Sequence, residues 1–396
     1  MAGMSESRYD WLNDRWVFFA PQRAERPIEL AADSTAHAQP HGCPFCIGQE
    51  WQTPNPLLQI AAPKPDRHEP WQVRVVPNRF PAIDRSEQDH ACQSNATDKA
   101  PQLSASPFFN RQSMGGHHEV VIESPQHLTS WNQLSVAQLD RVLLAFQQRV
   151  AALRQSPRVR YLSIFKNSGC DAGASLAHVH SQVIATPVQP PAWEQMLGRC
   201  YEFFRAQGVG YFQRWITEER GQQQRVVLDD RQFFVHCPFA SPHPYQLMIQ
   251  PHAATPFESL GASTRSSLAK LLKSAATSLQ CFLPDASYNV LIHLPTDTPS
   301  TDWASPWWIE WTPRISKIAG FELASQCAIN PIFPEVAAET WRKHWPQADA
   351  ESIRLDLANS DPHSLQTTTQ VASTAGDFSS SRCDGAVGSH SSSVRK

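Results

Sequence analysis

What most limits the fold of this chain is the order of its segments. Four β-branched runs bounded by turn residues, WQVRVVPN (71–78), HHEVVIES (117–124), RYLSIFKN (160–167) and HVHSQVIA (178–185), surround one stretch of helical period. That stretch runs from Ser135 to Arg154, where Leu139, Val142, Leu143, Phe146, Val150 and Leu153 recur at helical spacing behind Ser135 as N-cap. The later half repeats the order. Strands over Val226 to Cys237 and Gln246 to Gln250 are followed by a helix from Ser263 to Phe282 and a strand from Tyr288 to Leu294. This predicts an α+β chain of two tandem related domains, each an antiparallel sheet with packed helices, over 8–195 and 196–357.

A length of 396 residues also exceeds what one core usually organises, and the 41% apolar content supplies a real core. Two segments stand apart. From Ala358 to Lys396 almost nothing large and apolar is available to bury, which predicts a disordered tail. Residues 84–116, including DRSEQDHACQSNATDKAPQLSAS, read as a long disordered insert.

With 34 Lys and Arg against 37 Asp and Glu, the net charge of -3 gives no electrostatic reason to propose nucleic acid or a membrane surface as partner. An anionic substrate must then be met by local cations. No apolar run approaches the roughly 18 residues of a spanning helix, and MAGMSESRYD lacks a secretory apolar stretch, so the expected location is cytoplasmic.

Three constellations could carry chemistry. In an extended strand, His178, His180 and Gln182 share one face, at about 6.5 Å per step. Two imidazoles and an amide then look into one site, either to chelate a metal together or to divide the work. The preceding Gly173, Ala174 and Ser175 offer small side chains and backbone N–H groups suited to a phosphate. In HGCPFCIG, Cys43 and Cys46 form half of a tetrahedral zinc site or a redox dithiol. Their context favours zinc, because a redox pair should follow a strand and open a helix, whereas LAADSTAHAQPHG precedes this one. In APQRAERP, Arg23 and Arg26 could fork onto phosphate oxygens or lie on a solvated surface, and Asn78 and Arg79 in VVPNRFPA could be an ordinary strand-to-turn transition.

Taken in order, RWVFFAPQRAERP, CPFCIG, VVPNRFPA, EVVIESPQH, FKN, GASLAHVHSQ and IAGFE with INP resemble galactose-1-phosphate uridylyltransferases, members of the histidine-triad superfamily. Ser181 inside the His-x-His-x-Gln motif is the variant that also occurs in plant-type phosphorylases acting on ADP-glucose. The resemblance implies that His180 is the nucleophile, that Gln182 hydrogen-bonds the phosphoryl oxygens, and that Cys43, Cys46, His127 and His178 hold one structural zinc. It places Asn167 and Gly173 to Ser175 on the nucleotide phosphates and Arg23, Arg26, Asn78 and Arg79 on the nucleotide sugar. Phe321 and Glu322 fall on the hexose side.

The chain departs from the family at Val179, where Pro is usual between the two His, and at SPWWIEW, where Pro306 and Trp308 replace a His-x-His pair. A second metal site is therefore expected to be lost, although His293 remains. Ser325 to Ala328 lack the usual glycines and aromatic, which leaves sugar specificity open. The expected activity is UDP-glucose:hexose-1-phosphate uridylyltransferase by a ping-pong route, with nucleotide sugar and sugar-1-phosphate as partners; a homodimer is compatible with it. The alternatives are a phosphorylase or adenylyltransferase acting on ADP-glucose, and a non-catalytic, zinc-stabilised nucleotide-binding protein.

Overall fold

A computed structural model describes residues 4–25, 42–62, 70–85, 108–109, 114–295 and 306–346. Arg26, the 358–396 segment and most of the 84–116 insert lie outside the described residues.

In chain order the strands are β1 (Glu6–Asp10), β2 (Arg15–Phe19), β3 (Leu58–Ala61), β4 (Trp71–Pro77), β5 (Asp84–Arg85), β6 (Gly115–Ile122), β7 (Tyr161–Ser168), β8 (His180–Thr186), β9 (Val226–Asp229), β10 (Phe233–His236), β11 (Leu247–Pro251), β12 (Tyr288–His293), β13 (Trp308–Pro313) and β14 (Ala328–Asn330). The helices are α1 (Val136–Leu153), α2 (Pro191–Gln207), α3 (Tyr211–Gln222), α4 (Ala262–Phe282), α5 (Gly320–Ser325) and α6 (Pro334–His344). No helix among the described residues is long and apolar enough to cross a membrane.

The main sheet runs β3-β4-β6-β8-β7-β12-β13-β11-β10-β9, with β5 beside β6. Its first five strands, in spatial order third-before-fifth-before-fourth, repeat in the last five. Each half is three strands, one helix and two more strands, wound identically. The two halves meet where β7 pairs antiparallel with β12, from Tyr288 opposite Ser168 to His293 opposite Ser163. One sheet therefore serves both repeats, and residue 195 falls inside α2.

Helices α1 and α4 pack beside one another against one face of this sheet. Period-2 burial shows which residues turn that way: Leu162 and Ile164 on β7, Val183 and Ala185 on β8, and Val290 and Ile292 on β12 join Leu139, Phe146, Leu268 and Leu272 in one core. Each large apolar side chain buried there contributes about 1.5–3 kcal/mol. Ser135 caps α1 as expected, its Oγ accepting from the Gln138 N–H at 3.1 Å.

Two expectations are corrected. Val226 to Cys237 is not one strand but the hairpin β9–β10, because Asp230 Oδ1 accepts from both Gln232 and Phe233 N–H at 2.7 Å and so closes a turn. The insert does not begin cleanly at 84 and end at 116: Asp84–Arg85 pair in parallel with Gly115–Gly116. Three further strands, β1, β2 and β14, form a separate sheet in which β14 lies parallel to β2.

Gly169 ends β7 with φ at +85°, and a Cβ there would come within 2.8 Å of Ser287 Cβ. Both the left-handed backbone and the crowding from the second half require glycine. Gly169→Ala is expected to lower unfolding free energy by about 1–3 kcal/mol, read from urea denaturation; an unchanged midpoint would show that Ser287 moves aside freely.

Candidate active site and metal centre

Cys43 and Cys46 sit on a tight turn, closed by Cys46 N–H donating to Cys43 O at 3.2 Å and anchored by Ile47 N–H to Pro125 O at 2.9 Å. That anchor brings the turn against the segment after β6, which carries His127. His178 arrives from the chain just before β8. It is not part of the strand, as the sequence suggested: the ladder begins at His180, and the Val179 N–H donates instead to Leu128 O.

The four potential ligand atoms lie within 4.8 Å of one another. Cys43 Sγ is 3.6 Å from His178 Nδ1, Cys46 Sγ is 3.6 Å from the same nitrogen, and Cys46 Sγ is 3.4 Å from His127 Nδ1. Tetrahedral bonds of about 2.3 Å to sulfur and 2.0 Å to nitrogen set the sulfur–nitrogen edge at about 3.6 Å. The cluster thus has the dimensions of a closed metal site, and a redox dithiol has no need of two converging imidazoles.

His178 Nε2–H donates to Ser124 O at 2.9 Å, which leaves Nδ1 bare for a cation. Burial, then the neighbouring Cys43, push the metal-free Cys46 thiol up to about 12, and burial pulls His178 down to about 4. A cation entering here must release thiol protons but finds a neutral imidazole.

His180 faces the opposite way from the β8 core residues Val183 and Ala185. Its Nδ1–H donates to His178 O at 2.7 Å, so the lone pair is on Nε2. Burial first, then Lys166, lower its pKa and keep the ring neutral, the form in which Nε2 is a nucleophile. The Phe45 ring, between the two cysteines, packs edge-on against both His178 and His180.

Beneath this strand lies a fully buried network that sequence reading missed. Lys166 Nζ donates to Glu123 Oε2 at 2.8 Å and to His180 O at 2.9 Å. Ser181 Oγ donates to Glu123 Oε1 at 2.5 Å and Trp131 Nε1 to Oε2 at 2.8 Å, while the Glu123 N–H reaches Val179 O at 3.3 Å.

Gln182 is held by His118, also missed. Ala82 N–H donates to His118 Nδ1 at 3.1 Å, which puts the ring proton on Nε2, and that N–H donates to Gln182 Oε1 at 2.7 Å. The Gln182 NH2 is thereby left pointing away, as a donor. Asn78 Nδ2 flanks the same His118 nitrogen at 3.0 Å. A parallel arrangement orients Asn167, whose Oδ1 accepts from Asn289 Nδ2 at 2.9 Å while the same Nδ2 donates to Ala172 O at 3.0 Å.

Gly173, φ +84°, turns the chain beside Asn167, and Ala174 and Ser175 follow on the partly open side. The signal for His118 and Asn289 was parity: in register, Asn289 lies opposite Asn167, and His118 is two residues from Val120, which lies opposite Gln182.

The remaining expected residues lie outside this hydrogen-bond network. Arg79 is exposed with its guanidinium over Phe80, and Arg23 is exposed in a short helical turn over Pro21–Glu25. Phe321 and Glu322 lie on α5. The Phe321 ring packs on Phe18 of β2 at 5.7 Å, and Glu322 caps its own helix through the Ala319 N–H. On β13, the Trp308 ring stacks on His293 at 4.5 Å and on Trp193 at 5.4 Å.

Comparison with known proteins adds the following. Residues 2–190 match the family described as galactose-1-phosphate uridyl transferase, N-terminal domain. An ADP-glucose phosphorylase of Arabidopsis thaliana is 32% identical over 346 residues, covering 85% of this chain and 92% of that protein. A galactose-1-phosphate uridylyltransferase of Thermotoga maritima is 24% identical over 350 residues, covering 86% and 98%. Among solved structures, the Arabidopsis thaliana ADP-glucose phosphorylase with bound ADP-glucose superposes with a TM-score of 0.70 at 29% identity, over 86% of this chain and 99% of that one. A uridylyltransferase structure at 23% identity, TM-score 0.61, covering 86% and 98%, shares the fold.

The buried clamp gives a direct test. Lys166→Met leaves the Glu123 carboxylate uncompensated in the core and is expected to lose about 3–5 kcal/mol of stability. Adding Glu123→Gln should recover much of that loss. Equal denaturation midpoints for wild type and the single variant would refute the clamp.

Proposed function

We propose that this chain, which belongs to the galactose-1-phosphate uridylyltransferase family, is a nucleotidyltransferase that moves a nucleoside monophosphate from a nucleotide sugar through a covalent bond to His180. The observation that carries the reading is the His180 hydrogen bond. With Nδ1–H fixed on His178 O at 2.7 Å, the lone pair of the neutral ring is on Nε2, on the strand face away from Val183 and Ala185. Nε2 attacks the α-phosphorus, the N–P bond forms as the P–O bond to the departing sugar-1-phosphate breaks, and a second oxygen nucleophile later reverses the exchange.

Gln182 NH2, kept outward by His118, and the backbone N–H groups of Gly173 to Ser175 would meet the charge on the transferring group. Asn167 would bind the flanking phosphates, with Asn78 and the local cations Arg23, Arg26 and Arg79 on the nucleotide sugar. We assign the hexose side to Phe321 and Glu322. The cation of the Cys43, Cys46, His127 and His178 set, taken as zinc, would be structural, since four protein ligands leave no place for water. The repeated strand order supports a reading as two tandem histidine-triad-like domains, 8–195 and 196–357.

Between donors, the relative at 32% identity and the fold match to a protein with bound ADP-glucose favour ADP-glucose with phosphate as acceptor. This reverses the order in which the sequence suggested them. UDP-glucose with hexose-1-phosphate is the second reading, supported by the uridylyltransferase relatives at 24% identity.

Mixed with radiolabelled ADP-glucose alone, the protein should release glucose-1-phosphate in a burst of about one equivalent and retain acid-labile, base-stable label. His180→Gly should lose burst and label with zinc intact. Label from UDP-glucose alone would instead install the uridylyl reading; label from neither, with binding still measurable, would leave a non-catalytic nucleotide binder.

Metal analysis tests the structural cation separately. Protein purified without chelator should carry about one zinc, and Cys43→Ser or His178→Ala should lose it together with stability. Zinc retained in both variants would remove the assignment.

A further inference from the structure

β13 occupies in the second half the place that β8 occupies in the first: it lies between β11 and β12 as β8 lies between β6 and β7. Register completes the equivalence. Gln182 stands opposite Val120 and Phe165, and Glu310 stands opposite Met248 and Leu291. Trp308 is therefore where the first half has His180, and Glu310 where it has Gln182.

The partners repeat as well. His118, two residues before Val120, holds Gln182; Gln246, two residues before Met248, donates through Nε2 to Glu310 Oε2 at 3.3 Å. His293, in the place of Asn167, lies 3.4 Å from Glu310 Oε1. The second half repeats the plan of the site with the Trp308 indole in the place of the His180 imidazole.

These residues line a pocket of about 490 Å³, within the range that holds a small ligand. Besides His293 Nε2, whose nearest partner is Glu310 Oε1 at 3.4 Å, two atoms on its wall lack a hydrogen-bond partner: the Gln246 Oε1 acceptor and the Trp193 Nε1–H donor, on residues only 3% and 7% exposed. Such groups are seldom left unmet when buried.

Charge narrows the occupant. Both arginines on the wall are committed, Arg15 to Asp10 at 3.0 Å and Arg225 to Glu219 and Glu335 at 3.0 and 2.8 Å. Burial would raise the Glu310 carboxyl, but His293 and the Trp308 N–H outweigh it and hold it down to about 2. The floor is thus an anion that accepts hydrogen bonds, among aromatic walls, with no uncommitted guanidinium for a phosphate. A hydroxyl group both donates and accepts, which suits one unmet acceptor, one unmet donor and a carboxylate.

We propose that this pocket is a second binding site, for a neutral hydroxylated ring such as an unphosphorylated pyranose, on the same sheet face as His180 and unable to transfer a group. Three strand spacings separate Glu310 from Gln182, about 14 Å.

The test uses the full chain with glucose, galactose and maltose as probes, read by tryptophan fluorescence and equilibrium dialysis. At least one should bind saturably. Trp193→Phe, which keeps a ring and removes the N–H, and Gln246→Leu should each weaken it roughly tenfold, the loss expected for one buried hydrogen bond. Nucleotide labelling of His180 should be unaffected in both, and His180→Gly should bind the sugar normally. Absence of saturable binding for all three sugars overturns the proposal, as do equal affinities in wild type and both folded variants. Displacement by adenosine or AMP also overturns it, since the sugar would then be in a nucleotide site.

Discussion

The Glu123 carboxylate is the point on which the catalytic strand hangs. It is wholly buried, and its two oxygens take donors from Lys166, Ser181 and Trp131, while its backbone N–H reaches Val179 O. Lys166 then reaches past it to His180 O. The neighbouring Ser124 carbonyl fixes the His178 ring. Four consecutive residues, 178 to 181, are thus each tied to two consecutive residues at the end of β6, directly or through one ammonium. A buried ion pair is weak evidence of net stability, because desolvating both charges offsets most of their attraction. What it does enforce is register: a slip of β8 by one residue would leave Glu123 and Lys166 facing side chains that cannot satisfy them and would turn His180 into the core.

The candidate metal cluster and His180, the proposed nucleophile, are two ends of that construction. A cation bound at His178 Nδ1 would fix the residue whose carbonyl receives His180 Nδ1–H, and Phe45, carried on the same cysteine turn, bounds both rings. The metal would therefore act on His180 through one backbone oxygen and one aromatic edge. Because Nδ1 is committed, the free lone pair belongs to Nε2 whether or not a substrate is present, and no tautomer change is needed before attack.

Much of this was legible in the sequence. The helical period of α1 and the alternation along 178–185 gave their elements almost to the residue, and Cys43, Cys46, His127 and His178, assembled by resemblance, converge in space. The local signals failed where tertiary context decided. Asp230, within the polar stretch Asp229 to Gln232, closes a turn inside a segment read as one strand. β14 is three residues long and exists only because β2 is beside it. His118 and Asn289 carry no motif, and Glu123 and Lys166 lie within EVVIESPQH and FKN without a role assigned by either; their importance comes from register between strands far apart in sequence, which no single segment encodes. Resemblance could not find Lys166 either, because it entered only as the middle residue of FKN.

Duplication explains why one half can keep chemistry while the other need not. In both halves the central strand is flanked by the same two neighbours, so the sheet face offers two equivalent positions for side chains facing away from α1 and α4. In the first, an imidazole occupies the central position, bounded by the Phe45 ring. In the second, Trp308 fills the nucleophile's place and is covered by Trp193 and His293 on stacked rings and by Phe212 at 5.2 Å. That packing contributes apolar burial to the second half, about 25 cal/mol for each Å² removed from water. The aromatic cluster also spans β12 and β13, which join the first half at the β7–β12 seam, where Asn289 meets Asn167. Loss of ligands in one repeat and precision in the other are thus parts of a single sheet, mechanically joined at one pair of strands.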